Sequence, residues 1–136
     1  MKHAYRAFPL ALLLLALAGC QSQPRHIGPS AMPTGGVTHI VIMWLNDPSD
    51  LDARDEIIAT GKKLETIPGV VSVSAGRMLP SGRPVVDTSY DVAFAMTFNN
   101  VDDMKAYLEN PLHKQLKTEV LDRYVKKYLV YDFVAE

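Results

Sequence analysis

The stretch YDVAFAMTF, at residues 90–98, alternates strictly between large and small side chains. A period of two predicts a β-strand, because successive side chains point to opposite faces of a sheet. The large residues form one face: Tyr90, Val92, Phe94, Met96 and Phe98. The smaller residues form the other face and leave room above it: Asp91, Ala93, Ala95 and Thr97.

A helix, a break and a second helical piece are predicted after this strand. Asn99 or Asn100 can cap a helix that starts at the next apolar residue. Pro111 interrupts that helix, because the residue before a proline is disfavoured in helical geometry. The second piece begins near Pro111, and a last strand covers residues 127–134. The side chains predicted to face inward are Val101, Met104, Leu108, Leu112, Leu116 and Val120.

Upstream, residues 37–45 form a strand that is apolar on both faces, so both faces should be covered. A helix over residues 49–66 follows, with Asp47 or Ser49 as its cap. Its predicted inward stripe is Leu51, Ile57, Ile58, Gly61 and Leu64. A second strand over residues 70–79 alternates valine and alanine with serine.

The order β-α-β-β-α-β predicts an α+β protein with a ferredoxin-like arrangement, in which helices pack on one face of an antiparallel sheet. The other sheet face would then be wet in a monomer. The first strand places Ile40, Ile42 and Trp44 on that face, where they need a cover. We therefore expect a homodimer with its sheets packed face to face, because two-fold dimers are the commonest oligomers.

The N-terminus has the pattern of a signal peptide at residues 1–19. Lys2 and Arg6 precede a short apolar run, and the run ends at Leu17-Ala18-Gly19-Cys20, which resembles a bacterial lipobox. By that resemblance Cys20 is lipidated, and residues 20–36, rich in proline and glycine, form a disordered tether. Gln21, where an aspartate would favour the inner membrane, favours the periplasmic face of the outer membrane in a diderm cell. Ordinary secretion is the alternative.

Composition excludes several classes of function. Removing Lys2 and Arg6 from the 14 basic residues leaves 12 against 15 acidic ones, a formal charge of −3. A nucleic-acid partner is not expected, because such proteins concentrate basic charge on one face. The sequence has no Cys/His cluster with metal-ligand spacing and no glycine-rich phosphate loop, so neither a metal nor a cofactor is expected.

Several motifs together resemble the stress-responsive A/B barrel (Dabb) family over residues 37–134. They are Thr38-His39-Ile40-Val41, Ile67-Pro68-Gly69-Val70, Asp91-Val92-Ala93-Phe94, Tyr107, Asn110-Pro111-Leu112-His113 and Val130-Tyr131-Asp132-Phe133. The resemblance implies a dimeric α+β barrel. The family also includes a plant branch, olivetolic acid cyclase, which closes a polyketide ring with a histidine and a tyrosine. These two residues match His113 and Tyr107. That branch carries further histidines at the positions of Asp91 and Asn110.

His113 and Tyr107 are the predicted catalytic pair. A neutral imidazole near a helix N-terminus can accept a proton, and a phenol can donate a hydrogen bond to a carbonyl or enolate oxygen. The pair can instead line a ligand cavity without chemistry, or serve structure only. His39, Asp91 and Trp44 are weaker candidates for ligand contact.

Three functions follow. The first is a membrane-anchored lipoprotein of the cell envelope that binds a small apolar or aromatic molecule, in a cavity between small Ala93 and Ala95 and the pair Tyr107 and His113. The second is an enzyme of the lyase or cyclase type with His113 as base and Tyr107 as donor. The third is a structural or stress-associated interaction module without a ligand.

Overall fold

The computed structural model describes residues 32–136. The predicted signal peptide, Cys20 and most of the predicted tether lie outside the described residues. The strands are β1 (Val37–Leu45), β2 (Val70–Arg77), β3 (Val92–Phe98) and β4 (Val125–Val134). The helices are α1 (Leu51–Lys63), which continues as a 3₁₀ turn (Leu64–Thr66), α2 (Val101–Glu109), α3 (Pro111–Leu116), a π-helical segment (Lys117–Leu121) and the short α4 (Asp122–Tyr124). None of the helices in this described part is both long and apolar enough to cross a bilayer.

The four strands form one antiparallel sheet in the order β2-β3-β1-β4. This confirms the predicted ferredoxin-like fold. The two central strands come from distant parts of the chain, and His39 on β1 lies opposite Met96 on β3 and Asp132 on β4. Because side chains alternate, the odd-numbered residues of β1 face the helices and the even-numbered ones face away.

The core lies between the helices and one face of the sheet, here called the helix face. The large side chains of β3 predicted for one face are buried there, except Tyr90, which precedes the strand and is half-buried. The residues of β1 and β3 in this core are Val37, Val41, Met43, Leu45, Val92, Phe94, Met96 and Phe98. The pattern of two in the sequence is therefore confirmed as one buried face.

Two helix predictions were partly wrong. Helix α1 begins at Leu51, because the Asp50 carboxylate, and not Asp47 or Ser49, accepts the Ala53 N–H as its cap. Leu51 consequently lies at the exposed start of the helix, whereas Ile57 is fully buried. In α2, capped by Asn100, Val101 is exposed for the same reason, since it is the first residue of the helix.

Strand β2 is also less regular than predicted. Its pairing with β3 shifts between Val70 and Ser72, and the irregularity leaves Val71 exposed. Val70, Val73 and Ala75 pack against the core instead. A shift of one residue moves a side chain to the opposite face of a sheet, so Val71 does not share the face of Val73 and Ala75 as a simple alternation would require.

The second face of the sheet, here called the open face, is covered by no helix of the described chain, and only its margins are contacted, where Met32 meets Thr38 and Ser89 meets Trp44. Its larger side chains are half-buried or exposed: Ile40, Ile42, Trp44, Leu129, Tyr131 and Phe133. Ala93 and Ala95 lie on this same face. Their neighbours are Ile42 and Ile40 of β1 on one side and residues of β2 on the other.

Candidate functional site

A cavity of about 50 Å³ lies between the helix face of the sheet and the helices. Its wall is mostly apolar, and His39, Tyr107 and His113 supply its aromatic polar groups. The other lining residues are Val41, Ile57, Thr60, Gly61, Leu64, Phe94, Met96, Leu116, Lys117, Val120 and Leu121. An apolar pocket with a few converging polar groups is the usual form of a small-molecule site.

The break between α2 and α3 sets the positions of Tyr107 and His113. Asn110 has extended backbone (φ −62°, ψ 133°), as the following proline predicts, and its side chain accepts the Leu112 N–H at 2.9 Å. Helix α3 therefore starts at Pro111 in a new direction, with His113 in its first turn. The rings of Tyr107 and His113 pack with their centroids 4.5 Å apart.

One ring nitrogen of His113 is fixed by the backbone. Nδ1 lies 3.1 Å from the carbonyl oxygen of Leu108, and because a carbonyl only accepts, Nδ1 must carry the proton. Burial lowers the pKa of His113, and the neighbouring His39, Lys117 and Lys114 lower it further against the opposing effect of the Leu108 contact. The neutral ring then has its lone pair on Nε2, which can accept a proton or a hydrogen bond.

The hydroxyl of Tyr107 is suited to donate a hydrogen bond. Its side chain is only 1% exposed, and burial raises the pKa of its phenol, so it stays protonated at neutral pH. Every fully buried polar side-chain atom within residues 32–136 has a hydrogen-bond partner. The Tyr107 hydroxyl makes no hydrogen bond to another residue in this part of the chain.

His39 completes a row of three rings. The centroid of its ring is 6.1 Å from that of Tyr107. Its Nδ1 lies 2.6 Å from Oδ1 of Asp132 on β4, and this contact orients the imidazole. The sequence motifs place His39 on β1 without a partner; the register of β1 and β4 supplies one.

The cavity opens outward into a shallower hollow of about 180 Å³ at the edge of β4. His39, His113 and Lys117 line both spaces. Strand β4 is an edge strand, and its residues Tyr128 and Val130 on the helix face are exposed because no helix covers them. The outer hollow is therefore bordered by β4 on one side and by the π-helical segment on the other.

Asp91 and Trp44 do not join this site. The Asp91 carboxylate accepts the Leu45 N–H at 2.8 Å, which ties the start of β3 to the end of β1. Trp44 lies on the open face, where its indole N–H donates to Ser89 at 3.2 Å and the Lys127 ammonium lies 4.3 Å from the ring centroid. Trp44 lines a separate hollow of about 220 Å³ on that face.

The expected cavity between the alanines and the pair Tyr107 and His113 does not exist. Ala93 and Ala95 point to the open face, whereas Tyr107 and His113 pack beneath the helix face. The reason is the alternation of β3 itself, in which Phe94 and Met96 occupy the helix face next to the rings. Gly61 also lines the cavity, and its missing side chain lets α1 pack directly against the ring of Phe94.

Lys117 is the site residue that the sequence reasoning missed. It follows His113 by four residues, and that spacing places two side chains on the same face of a helix. The spacing was therefore an available signal. Among residues 32–136 there is no group of three or more histidine, cysteine or acidic side chains that could hold a metal ion.

Comparison with known proteins agrees with this geometry. The sequence model of a family described as "Stress responsive A/B Barrel Domain" (Dabb) matches residues 37–135. A Dabb family protein with a ferredoxin-like fold from Mesorhizobium loti is 25% identical with a TM-score of 0.63, over 75% of this chain and 98% of that one. No curated protein matches the chain.

Two further solved structures share the fold. Hydroxynitrile lyase from Passiflora edulis is 21% identical with a TM-score of 0.66, over 76% of this chain and 96% of that one. A dimeric ferredoxin-like protein of unknown function from Thermobifida fusca is 21% identical with a TM-score of 0.62, over 76% and 93% of the two chains.

Proposed function

Because this chain belongs to the stress-responsive A/B barrel (Dabb) family, we propose that it uses the family's fold to bind a small organic molecule in the cavity under the helix face. One observation carries the proposal. In an otherwise apolar cavity, Nε2 of His113 and the hydroxyl of Tyr107 have no hydrogen-bond partner among the described residues. A ligand that offers one donor and one acceptor satisfies both groups, and burial of its apolar part supplies the affinity.

The size of the site limits the ligand. The inner cavity holds about 50 Å³ and the outer hollow about 180 Å³. A single ring or a short branched chain with a carbonyl or hydroxyl group fits that space, and a long polyketide chain does not fit the inner part. The ligand class is therefore a small carbonyl compound or phenol.

Tyr107→Phe tests this proposal with little change in shape. The full-length protein in detergent, with ¹³C-labelled histidine, is titrated with small ketones, aldehydes and phenols while the His113 resonance is followed. We expect binding to the wild type and about tenfold weaker binding to the variant, because one hydrogen bond contributes roughly 0.5–1.5 kcal/mol.

Tyr124→Phe is the matched control. Tyr124 donates to Glu56 on the protein surface and does not line the cavity. Equal binding to the Tyr107 and Tyr124 variants contradicts the assignment of Tyr107. If no probe moves the His113 resonance, the ligand-binding proposal fails and the interaction module without a ligand becomes the better account.

A lyase or cyclase activity is the second candidate. The observation that favours it is the pairing of a neutral imidazole, whose tautomer is set by Leu108, with a phenol that stays protonated. His113 would remove a proton beside a carbonyl group or from a hydroxyl, and Tyr107 would stabilise the oxygen on which charge develops. The shared fold of a hydroxynitrile lyase makes cyanohydrins one substrate class to test.

His113→Ala provides the test of catalysis. Release of benzaldehyde from its cyanohydrin, and ring closure or aldol cleavage of small keto compounds, are measured for the wild type and the variant. We expect turnover to fall by a factor of 10² or more, which is the usual contribution of a general base. Turnover that survives in a folded His113→Ala protein contradicts the role of His113 as base.

A homodimer is the proposed assembly. The open face presents Ile40, Ile42, Leu129, Tyr131 and Phe133 without a cover in the described chain. The related proteins from Thermobifida fusca and Bacteroides fragilis are described as dimeric. A second copy packed sheet to sheet would cover these side chains, which an isolated protein rarely leaves exposed as one patch.

The proposed location is the cell envelope, with a lipid anchor on Cys20 and the periplasmic face of the outer membrane as the site in a diderm cell. The support is the sequence pattern at residues 1–20, outside the described part of the structure. Cys20→Ser should move the protein from the membrane fraction to the soluble fraction, whereas Ser22→Ala should not. A membrane-bound Cys20→Ser protein overturns the lipid anchor.

A further inference from the structure

The positively charged side chain of Lys117 lies at the mouth of the cavity, and the proposed function gives it no role. Lys117 lines both the inner cavity and the outer hollow, one helical turn after His113. It is the first residue of the π-helical segment, and segments of this kind inside helices are frequent at functional sites. The remaining wall of the outer hollow is apolar: Val41, Leu108, Leu121, Tyr128 and Val130.

Lys117 is held only weakly by its ion-pair partner in the same chain, Asp122. Its ammonium lies 3.3 Å from Oδ1 of Asp122, and the two side chains are 43% and 51% exposed. Exposed pairs of this kind contribute little to stability, so another carboxylate can replace Asp122 at small cost. The two other charged side chains nearby are already engaged, since Asp132 pairs with His39 and Lys114 pairs with Glu109.

A negative charge that enters an apolar site needs a counter-charge. His113 is neutral at its lowered pKa and does not supply one. Lys117 does supply one at the point where the cavity meets solvent, and its charge is close enough to His113 to help lower that pKa.

We propose that Lys117 is a specificity-determining residue that selects small organic acids, binding the ligand carboxylate at the mouth while the rest of the ligand lies in the inner cavity beside Tyr107 and His113. This inference rests on the proposed binding function and adds the chemical class of the ligand. The ligand carboxylate takes the place of Asp122 on the Lys117 ammonium. Tyr107 and His113 then remain to form hydrogen bonds with the buried end of the ligand.

The test compares two probes of nearly the same shape, isobutyrate and isobutyramide, at pH 7.5. The full-length protein in detergent is titrated with each probe while the His113 resonance is followed. We expect the wild type to bind isobutyrate about tenfold more tightly than isobutyramide. In Lys117→Met, which removes the charge but keeps an unbranched side chain only one atom shorter, that preference should disappear.

Two further variants make the result specific. Lys114→Met removes a lysine of the same helical region that does not line the cavity, and it should keep the preference. Asp122→Asn removes the internal competitor, and it should strengthen isobutyrate binding while leaving isobutyramide unchanged. Thermal unfolding of each variant checks that the fold is retained.

The outcomes separate the two proposals. Equal binding of the two probes to the wild type, or a preference that survives in Lys117→Met, overturns the role of Lys117 and leaves the cavity as a site for neutral ligands. A His113 resonance that responds to neither probe overturns the choice of small organic acids. If it also ignores the ketones, aldehydes and phenols, the binding function fails as well.

Discussion

Nδ1 of His39 lies 2.6 Å from Oδ1 of Asp132, and the two residues face each other directly across the β1–β4 pair. The His39 side chain is 7% exposed and that of Asp132 is 44% exposed, so the pair reaches from the core to the surface. It ties the edge strand to the centre of the sheet at the cavity. The same contact that links β4 to β1 therefore also orients the His39 ring of the site.

Asp132→Asn tests how much this contact stabilises the fold. The amide keeps the size of the side chain but removes its charge, so the bond to His39 is weakened and not lost. We expect a loss of about 1 kcal/mol in the free energy of unfolding, the lower end for a hydrogen bond to a charged group, because Asp132 is half-exposed. Urea unfolding measures it. Asp102→Asn, on an exposed pair with Lys105, is the control and should change stability by less.

The depressed pKa of His113 predicts a definite dependence of stability on pH. Burial is the main cause, so the folded protein binds a proton at this site less readily than the unfolded chain, whose histidine titrates near 6.5. The stability contributed by neutral His113 is full above about pH 6.5 and is lost as pH falls below that value toward the folded-state pKa.

His113→Asn isolates this effect. Between pH 7.5 and pH 5.5, the free energy of unfolding of the wild type should fall by more than that of the variant, since His39 is present in both. Urea unfolding at several pH values measures the difference. A parallel fall in the two proteins would show that His113 keeps an ordinary pKa in the folded state.

Gly61→Ala should damage both the core and the cavity. A Cβ at this position would collide with the ring of Phe94, which lines the cavity and is 5% exposed. Overpacking costs about 1–3 kcal/mol, and the better helix propensity of alanine offsets up to about 1 kcal/mol. We expect a net loss of about 1 kcal/mol and weaker binding of any probe, because Phe94 can relieve the clash only by moving into the cavity.

Gly82→Ala is the matched control for that change. Gly82 lies in the loop between β2 and β3, and a Cβ there meets no atom within 4 Å. Its stability and binding should equal those of the wild type. A Gly61→Ala protein that binds and unfolds like the Gly82 variant would show that Phe94 is free to rotate away from α1.

Tyr131→Glu tests the proposed dimer. Tyr131 lies near the middle of the open face opposite Ile40, and a charge there would be buried between two sheets without a partner. We expect the sedimentation coefficient to change from that of a dimer to that of a monomer. Val85→Glu, in an exposed loop, should leave the dimer intact. A Tyr131→Glu protein that remains dimeric would place the interface elsewhere.

The strands and their buried face could be predicted from the sequence because their information is local. Residues 37–45 form β1 with the predicted bounds, and the alternation of β3 gives the correct buried side. Leu51 and Val101 were placed inward wrongly, because the exact cap residue decides which side chains lie in the exposed first turn. A pattern of apolar residues does not determine that cap.

The site was harder to predict because its contacts join distant parts of the chain. The motif resemblance pointed to Tyr107 and His113, and the structure brings them together with His39. The partner of His39 is 93 residues away and follows only from the strand register. The alternation of β3 put Ala93 and Ala95 on the correct face, but the sequence did not show that Tyr107 and His113 pack on the opposite one, beside Phe94 and Met96.

Because side chains alternate along β1, neighbouring residues contribute to opposite faces of the sheet. Residues 37, 39, 41, 43 and 45 serve the core and the cavity, whereas residues 38, 40, 42 and 44 serve the open face. A mutation at one position can therefore change the lining of the cavity without touching the open face, and a mutation at the next can do the reverse. Selection can act on the two properties separately, although they are encoded in one stretch of nine residues.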